Sequence, residues 1–93
     1  MGGVQIDLLI DRPDRVVNLC EFKYYKEEIM LNREQQESLL KRKASFKIFS
    51  KSKKQLYWTL ITLNGFNHNQ FSLGTIDQHL SAEIFFEEAS LNF

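Results

Sequence analysis

Two β-prone runs with five residues between them limit what this chain can become. Val4 to Ile10 and Val16 to Phe22 are rich in Val, Ile and Leu, and the intervening DRPDR carries a proline and four charges. That pattern predicts two antiparallel strands joined by a tight loop. Three ionisable side chains stand inside the otherwise apolar runs: Asp7, Glu21 and Lys23. Successive strand residues point to opposite faces, so Glu21 and Lys23 share one face and Cys20 takes the other. Asp7 joins Glu21 only across a loop with an odd number of residues. Three loop residues would set it directly opposite, five would set it one diagonal step away, and two would turn it to the wrong side. Pro13 has no N–H to give to a ladder, which favours three or more.

The chemistry of such a cluster is constrained. Two carboxylates held close together repel each other and resist desolvation, so a pair inside a sheet calls for a cation. A hard divalent ion, Mg²⁺ or Mn²⁺, takes oxygen ligands, keeps several waters, and can activate water or stabilise charge on a phosphate. Lys23 would reach the same place as a point charge. Mutual pairing of the three side chains at a sheet margin is the competing account.

Asn32 is a suitable N-cap, and from Arg33 to about Ser50 neither Gly nor Pro interrupts good helix formers. Leu39, Phe46 and Phe49, with Leu40 beside them, predict an apolar stripe laid on a sheet, with the Lys and Arg residues on the flanks and outer side. Gln35 and Gln36 fall in the first turn. Tyr24 to Leu31 reads as irregular. Lys51 to Lys54 turn the chain, and Leu56 to Leu63 reads as a central strand buried on both faces, parallel to Val16–Phe22. Asn64-Gly65 ends it as a turn. His68 is expected to be a solvated loop residue. Thr75 to Leu80 predicts a short last strand, and Ser81 an N-cap for a terminal helix through Glu88, with Phe85, Phe86 and Phe93 packing that end.

Twelve basic and twelve acidic residues cancel. Their distribution is uneven: Glu27, Glu28, Glu34 and Glu37 come first, and then seven Lys or Arg residues lie between Lys41 and Lys54 with no acid among them. A helix macrodipole favours that order without any ligand. A basic stripe also suits phosphate contacts, for which Lys41, Arg42, Lys47 and Lys51 are the candidates. At 93 residues, 43% of them hydrophobic, residues 1–93 form one folded domain, with about two-thirds of the unfolded surface buried. The single Cys20 makes no disulfide within the chain and fits a reducing compartment, and no apolar run or leader-like start suggests a membrane span or export, so a cytoplasmic setting is expected.

The succession I-D-L-L-I-D then C-E-F-K resembles the PD-(D/E)XK nuclease superfamily, and the likeness extends through the helix, LYWTLITLNGFNHNQFS and LSAEIFF to the nuclease-like domain at the C-terminal end of bacterial and archaeal AAA+ ATPases. The resemblance implies metal ligation by Asp7 and Glu21, Lys23 as the catalytic lysine, and Mg²⁺-dependent hydrolysis of DNA phosphodiesters. The alternative it leaves open is a non-catalytic nucleic-acid-binding or assembly module. It implies an α/β, restriction-endonuclease-like mixed sheet in the order hairpin strand one, hairpin strand two, Leu56–Leu63, last strand, with the main helix on one face. The superfamily's opening helix, often a source of a further acid, and its first strand have no counterpart here. Nor is there a G-x-x-x-x-G-K-[ST] loop, so the ATPase would lie upstream. The strand Val4–Ile10 then becomes an open edge through which a homodimer is expected to form.

Overall fold

The computed structural model describes residues 5–82. They form a small α/β domain, β1 (Leu8–Asp11), β2 (Val16–Lys23), α1 (Arg33–Ser50), β3 (Gln55–Thr62) and β4 (Gln78–Ser81), with the strands in one mixed sheet in the order β1-β2-β3-β4. β1 is antiparallel to β2, and β3 and β4 follow in parallel. The strand order is the one the sequence predicts.

The hairpin closes on three residues. The Arg12 N–H donates to the Val16 carbonyl at 2.9 Å, leaving Pro13, Asp14 and Arg15 as the loop. Arg15 adopts the left-handed conformation, φ 67°, that ends a three-residue hairpin loop, and Arg12 pairs with Asp14 across it. The Gln55 N–H donates to the Arg15 carbonyl at 3.0 Å, which fixes the loop to the start of β3.

β1 is shorter than Val4–Ile10 at its start and runs one residue further, to Asp11. The cause lies in the ladder. Counting outward from the hydrogen-bonded pair Arg12–Val16, alternation would give the Phe22 N–H to the Ile6 carbonyl. Instead Asp7 Oδ2 accepts it, at 2.9 Å. The side chain takes over a backbone bond and the strand stops there. Ile6 then packs with the cluster of Val17, Leu19 and Trp58, which strict alternation from Leu8 would have denied it.

α1 is capped as expected: Asn32 Oδ1 accepts the Gln35 N–H at 2.8 Å, and Gln35 Oε1 accepts the Asn32 N–H at 2.9 Å. This reciprocal capping box satisfies two otherwise unpaired donors. The helix ends at Lys51 in the left-handed conformation. Leu39 is its one fully buried side chain, Phe46 packs against the core, and Phe49 is 65% exposed. Phe49 therefore departs from the predicted stripe. Ten residues beyond Leu39, at about 100° each, it has rotated about 80° away from the sheet. Arg42, three residues beyond Leu39, stands about 60° round on a flank of the helix, where Lys and Arg residues are expected.

The core between α1 and the sheet is built on Val17, Leu19, Leu31, Leu39, Leu56, Trp58, Leu60 and Ile76, with Trp58 Nε1 donating to the Leu39 carbonyl at 2.9 Å. Cys20, Ile61 and Ala82 form a smaller cluster on the other face. β3 is buried on both faces as its composition predicts. The last strand begins at Gln78 rather than Thr75, because the Thr75 and Ile76 amides are spent on the Ser72 carbonyl and Asp77 pairs with the Trp58 backbone through both its N–H and its carboxylate. Ser81 is the end of β4; the terminal helix predicted from it, with Phe85, Phe86 and Phe93, lies outside the described residues. No helix among the described residues is long and apolar enough to cross a membrane.

Candidate functional site

Alternation along β2 sends Val17, Leu19, Glu21 and Lys23 toward α1. The first two are core, whereas Glu21 and Lys23 open into a cavity of about 160 Å³ between the end of β2 and the first half of α1. Glu34, Gln35, Ser38 and Arg42 line its helical side, over Leu31, Leu39 and Leu60. Glu21 is 8% exposed, the one buried carboxylate among the described residues.

Its charge is met by Arg42. Nη1 donates to Glu21 Oε1 at 3.0 Å and Nη2 to Oε2 at 2.6 Å, a two-pronged contact that suits a planar guanidinium and a carboxylate. Nη1 also donates to the Gln5 carbonyl at 3.1 Å, and the guanidinium carbon lies 5.2 Å from the centre of the Trp58 ring. Arg42 Nε is buried and has no hydrogen-bond partner among the described residues. The position has a simple origin. Arg42 stands three residues after Leu39 and seven after Gln35, so it shares the flank of α1 that looks onto the end of β2.

Asp7 comes to the same end of the sheet by the hairpin. Asp7 lies just ahead of β1, and its carboxylate sits on the Phe22 amide, directly after Glu21 in the chain, outside the lining of the cavity that Glu21 and Lys23 share. Lys23 Nζ lies 5.9 Å from the centre of the Tyr25 ring and has no ion pair among the described residues. The structure thus brings Glu21 and Lys23 to one cavity, with the Asp7 carboxylate on the backbone amide next to Glu21. It also adds Arg42, Glu34 and Ser38, which sequence reasoning did not assign to this site. Helical phase relative to Leu39 was the signal that could have found Arg42. Among the described residues no group of three or more His, Cys, Asp or Glu side chains gathers as a metal cluster.

Of the four residues named for phosphate contacts, Arg42 is turned to Glu21. Lys41 and Lys47 are exposed, and Lys51 is the helix C-cap. A separate groove of about 460 Å³ on the opposite flank of α1 is lined by Lys43, Lys47, Lys53 and Lys54, with Leu40 and Leu56 among its apolar residues. Lys54 there pairs with Asp11 at 2.6 Å. Glu34 in the first turn and Lys47 in the last match the helix dipole.

Cys20 is free and buried, and burial pushes its thiol pKa up, so it is a core side chain and a poor nucleophile. His68 is exposed and bonds Ser72 Oγ through Nδ1 at 3.0 Å. His79 Nε2 lies 2.7 Å from Thr62 Oγ1, and burial, then the charge of His68, hold its pKa below the usual 6.5. A lowered histidine pKa means that the folded state binds fewer protons than the unfolded state. The associated stability is complete above pH 6.5 and is lost as the pH falls through the folded value. Thermal melts at pH 7.5 and 5.5 should therefore show a smaller acid-induced drop for His79→Gln than for the parent chain.

Neither a family model nor a curated protein nor a solved structure matches the chain.

Proposed function

We propose that this chain is a PD-(D/E)XK-type nuclease-like domain, the C-terminal module of an AAA+ ATPase, and that it hydrolyses DNA phosphodiesters with Mg²⁺ or Mn²⁺ at Asp7 and Glu21. The observation that supports this reading is the Asp7 carboxylate on the Phe22 amide, one residue after Glu21, with Lys23 opening onto the same cavity as Glu21. The donor set suits a hard cation, since both groups are carboxylates. When bound, such an ion supplies Lewis-acid stabilisation and an activated water. Lys23 would hold a phosphate oxygen or orient the attacking water. Two protein carboxylates make a loosely held site. A cytoplasmic setting, in keeping with the unpaired Cys20, belongs to the same reading.

A second reading has its own observation. Both Glu21 oxygens are engaged by Arg42, which is what a non-catalytic nucleic-acid-binding or assembly module retaining the fold would display. Asp7→Asn separates the two readings. The amide oxygen of asparagine can still accept the Phe22 N–H, so the fold is kept while the ligand charge is lost. Divalent-dependent nicking of plasmid DNA by the 93-residue chain is expected to be weak, and to disappear in Asp7→Asn and in Glu21→Gln with an unchanged circular dichroism spectrum. Nicking that persists in either variant, or in excess EDTA, assigns the activity elsewhere and leaves the binding module.

A further inference from the structure

We propose that Arg42 and a divalent cation are alternative occupants of Glu21, so that metal and a phosphodiester bind this domain cooperatively and each only weakly alone. The inference rests on the reading of Asp7 and Glu21 as a metal site. It starts from the charge count of the corner. Glu21 is 8% exposed, and its two oxygens are both in contact with one guanidinium, at 3.0 and 2.6 Å. A divalent ion arriving at the same carboxylate would lie against that fixed positive charge, and like charges at such range repel strongly where water is scarce. The ion therefore needs Arg42 to move.

Arg42 has somewhere to go. Its side chain keeps 24% of its surface exposed, and its Nε–H is buried without a hydrogen-bond partner among the described residues while both Nη groups are engaged. A phosphate accepts from a guanidinium through two oxygens, so a phosphodiester can either replace the Glu21 carboxylate oxygen for oxygen at the two Nη groups or take the edge formed by Nε and one Nη, which gives Nε–H the acceptor it lacks. Taken singly, each exchange is unfavourable. A phosphate that draws Arg42 away strands a buried carboxylate, and a metal that displaces Arg42 strands a guanidinium over Trp58. Taken together, metal on Glu21 and phosphate on Arg42, every charge is paired. Arg42 is then a positioning residue, and by linkage each ligand raises the affinity for the other by the same factor.

The test measures bound Mn²⁺ by the loss of the free-ion paramagnetic resonance signal, using the whole 93-residue chain with and without a saturating single-stranded octathymidylate, after subtracting Mn²⁺ bound by the oligonucleotide alone. The parent chain should bind Mn²⁺ at least about tenfold more tightly when the oligonucleotide is present, within the usual range of coupling between sites. Arg42→Gln should bind Mn²⁺ tightly without the oligonucleotide, gain almost nothing from it, and be raised in melting temperature by Mn²⁺ where the parent chain is not. If Arg42→Gln does not fold, Arg42→Lys, which keeps the charge without the two-pronged contact, should show a coupling factor between those of the parent and one. Equal Mn²⁺ affinity with and without oligonucleotide in the parent chain, unchanged by substitution of Arg42, overturns the proposal and leaves the metal site standing. Absence of any Asp7-dependent Mn²⁺ binding, in Arg42→Gln as in the parent, overturns both.

Discussion

Replacing Arg42 by alanine is expected to lower the stability of the metal-free domain by about 3 kcal/mol, the lower end of what removing one partner of a buried ion pair costs. The lower end applies because Arg42 is only partly buried, its side chain 24% exposed against 10% for Glu21, so water softens part of the loss. Three consequences of the substitution add in the same direction: an uncompensated carboxylate at Glu21, a lost donor to the Gln5 carbonyl, and a lost cation over Trp58. Urea unfolding followed by Trp58 fluorescence reads the difference. For a chain of 93 residues, whose total stability is on the order of 5–10 kcal/mol, a loss of that size is a large fraction. Glu21→Gln combined with Arg42→Ala should recover part of it, because the stranded charge is then gone, and the double-mutant cycle gives the coupling directly. A loss under about 1 kcal/mol would mean that the pair behaves as an exposed one.

The corner is also where sequence reading reaches its limit. The hairpin loop was legible because Pro13 and the alternation of the two runs leave few registers, and the N-cap at Asn32 because its chemistry is local; the reciprocal bond from Gln35 was not read from the sequence. β3 was legible from its continuous apolar run. What was not legible depends on a choice between equivalent partners. The Phe22 N–H could be satisfied by the Ile6 carbonyl or by the Asp7 carboxylate, and nothing in residue order chooses; the structure chooses the side chain, and β1 begins at Leu8. Arg42 belongs to a run of seven basic residues that reads as a solvated face, and only the phase set by Leu39 singles it out as the member that reaches Glu21. The start of β4 was missed for a similar reason, since Thr75 and Ile76 have β-prone side chains but their amides close a turn onto Ser72.

At tens of micromolar the chain is expected to sediment as a dimer of twice 11.0 kDa, joined through β1. β1 is an edge of the sheet, with β2 on one side and no strand among the described residues on the other. Leu8, Leu9 and Ile10 are 42%, 46% and 44% exposed, large values for consecutive strand residues of this kind. The usual protections of an edge are missing from LLID: it has no Lys, no Pro and no bulge, and its one charge, Asp11, is turned to Lys54. Asp7 guards the amide of Phe22 on β2 and leaves the outer side of β1 untouched. Leu8 and Ile10 also border an apolar hollow of about 360 Å³ on the sheet face away from α1, together with Phe22, Ile61 and Leu80. Antiparallel pairing of two β1 strands about a two-fold axis would engage the outward N–H and C=O groups of this edge and bring the two hollows together, which closes the assembly at two copies. Leu9→Lys places a charge on that edge and should weaken the dimer at least about tenfold while leaving the fold intact, because Leu9 is half exposed in the single chain. An 11.0 kDa species at those concentrations, with the amides of residues 8–11 slow to exchange, would show instead that the chain covers this edge itself.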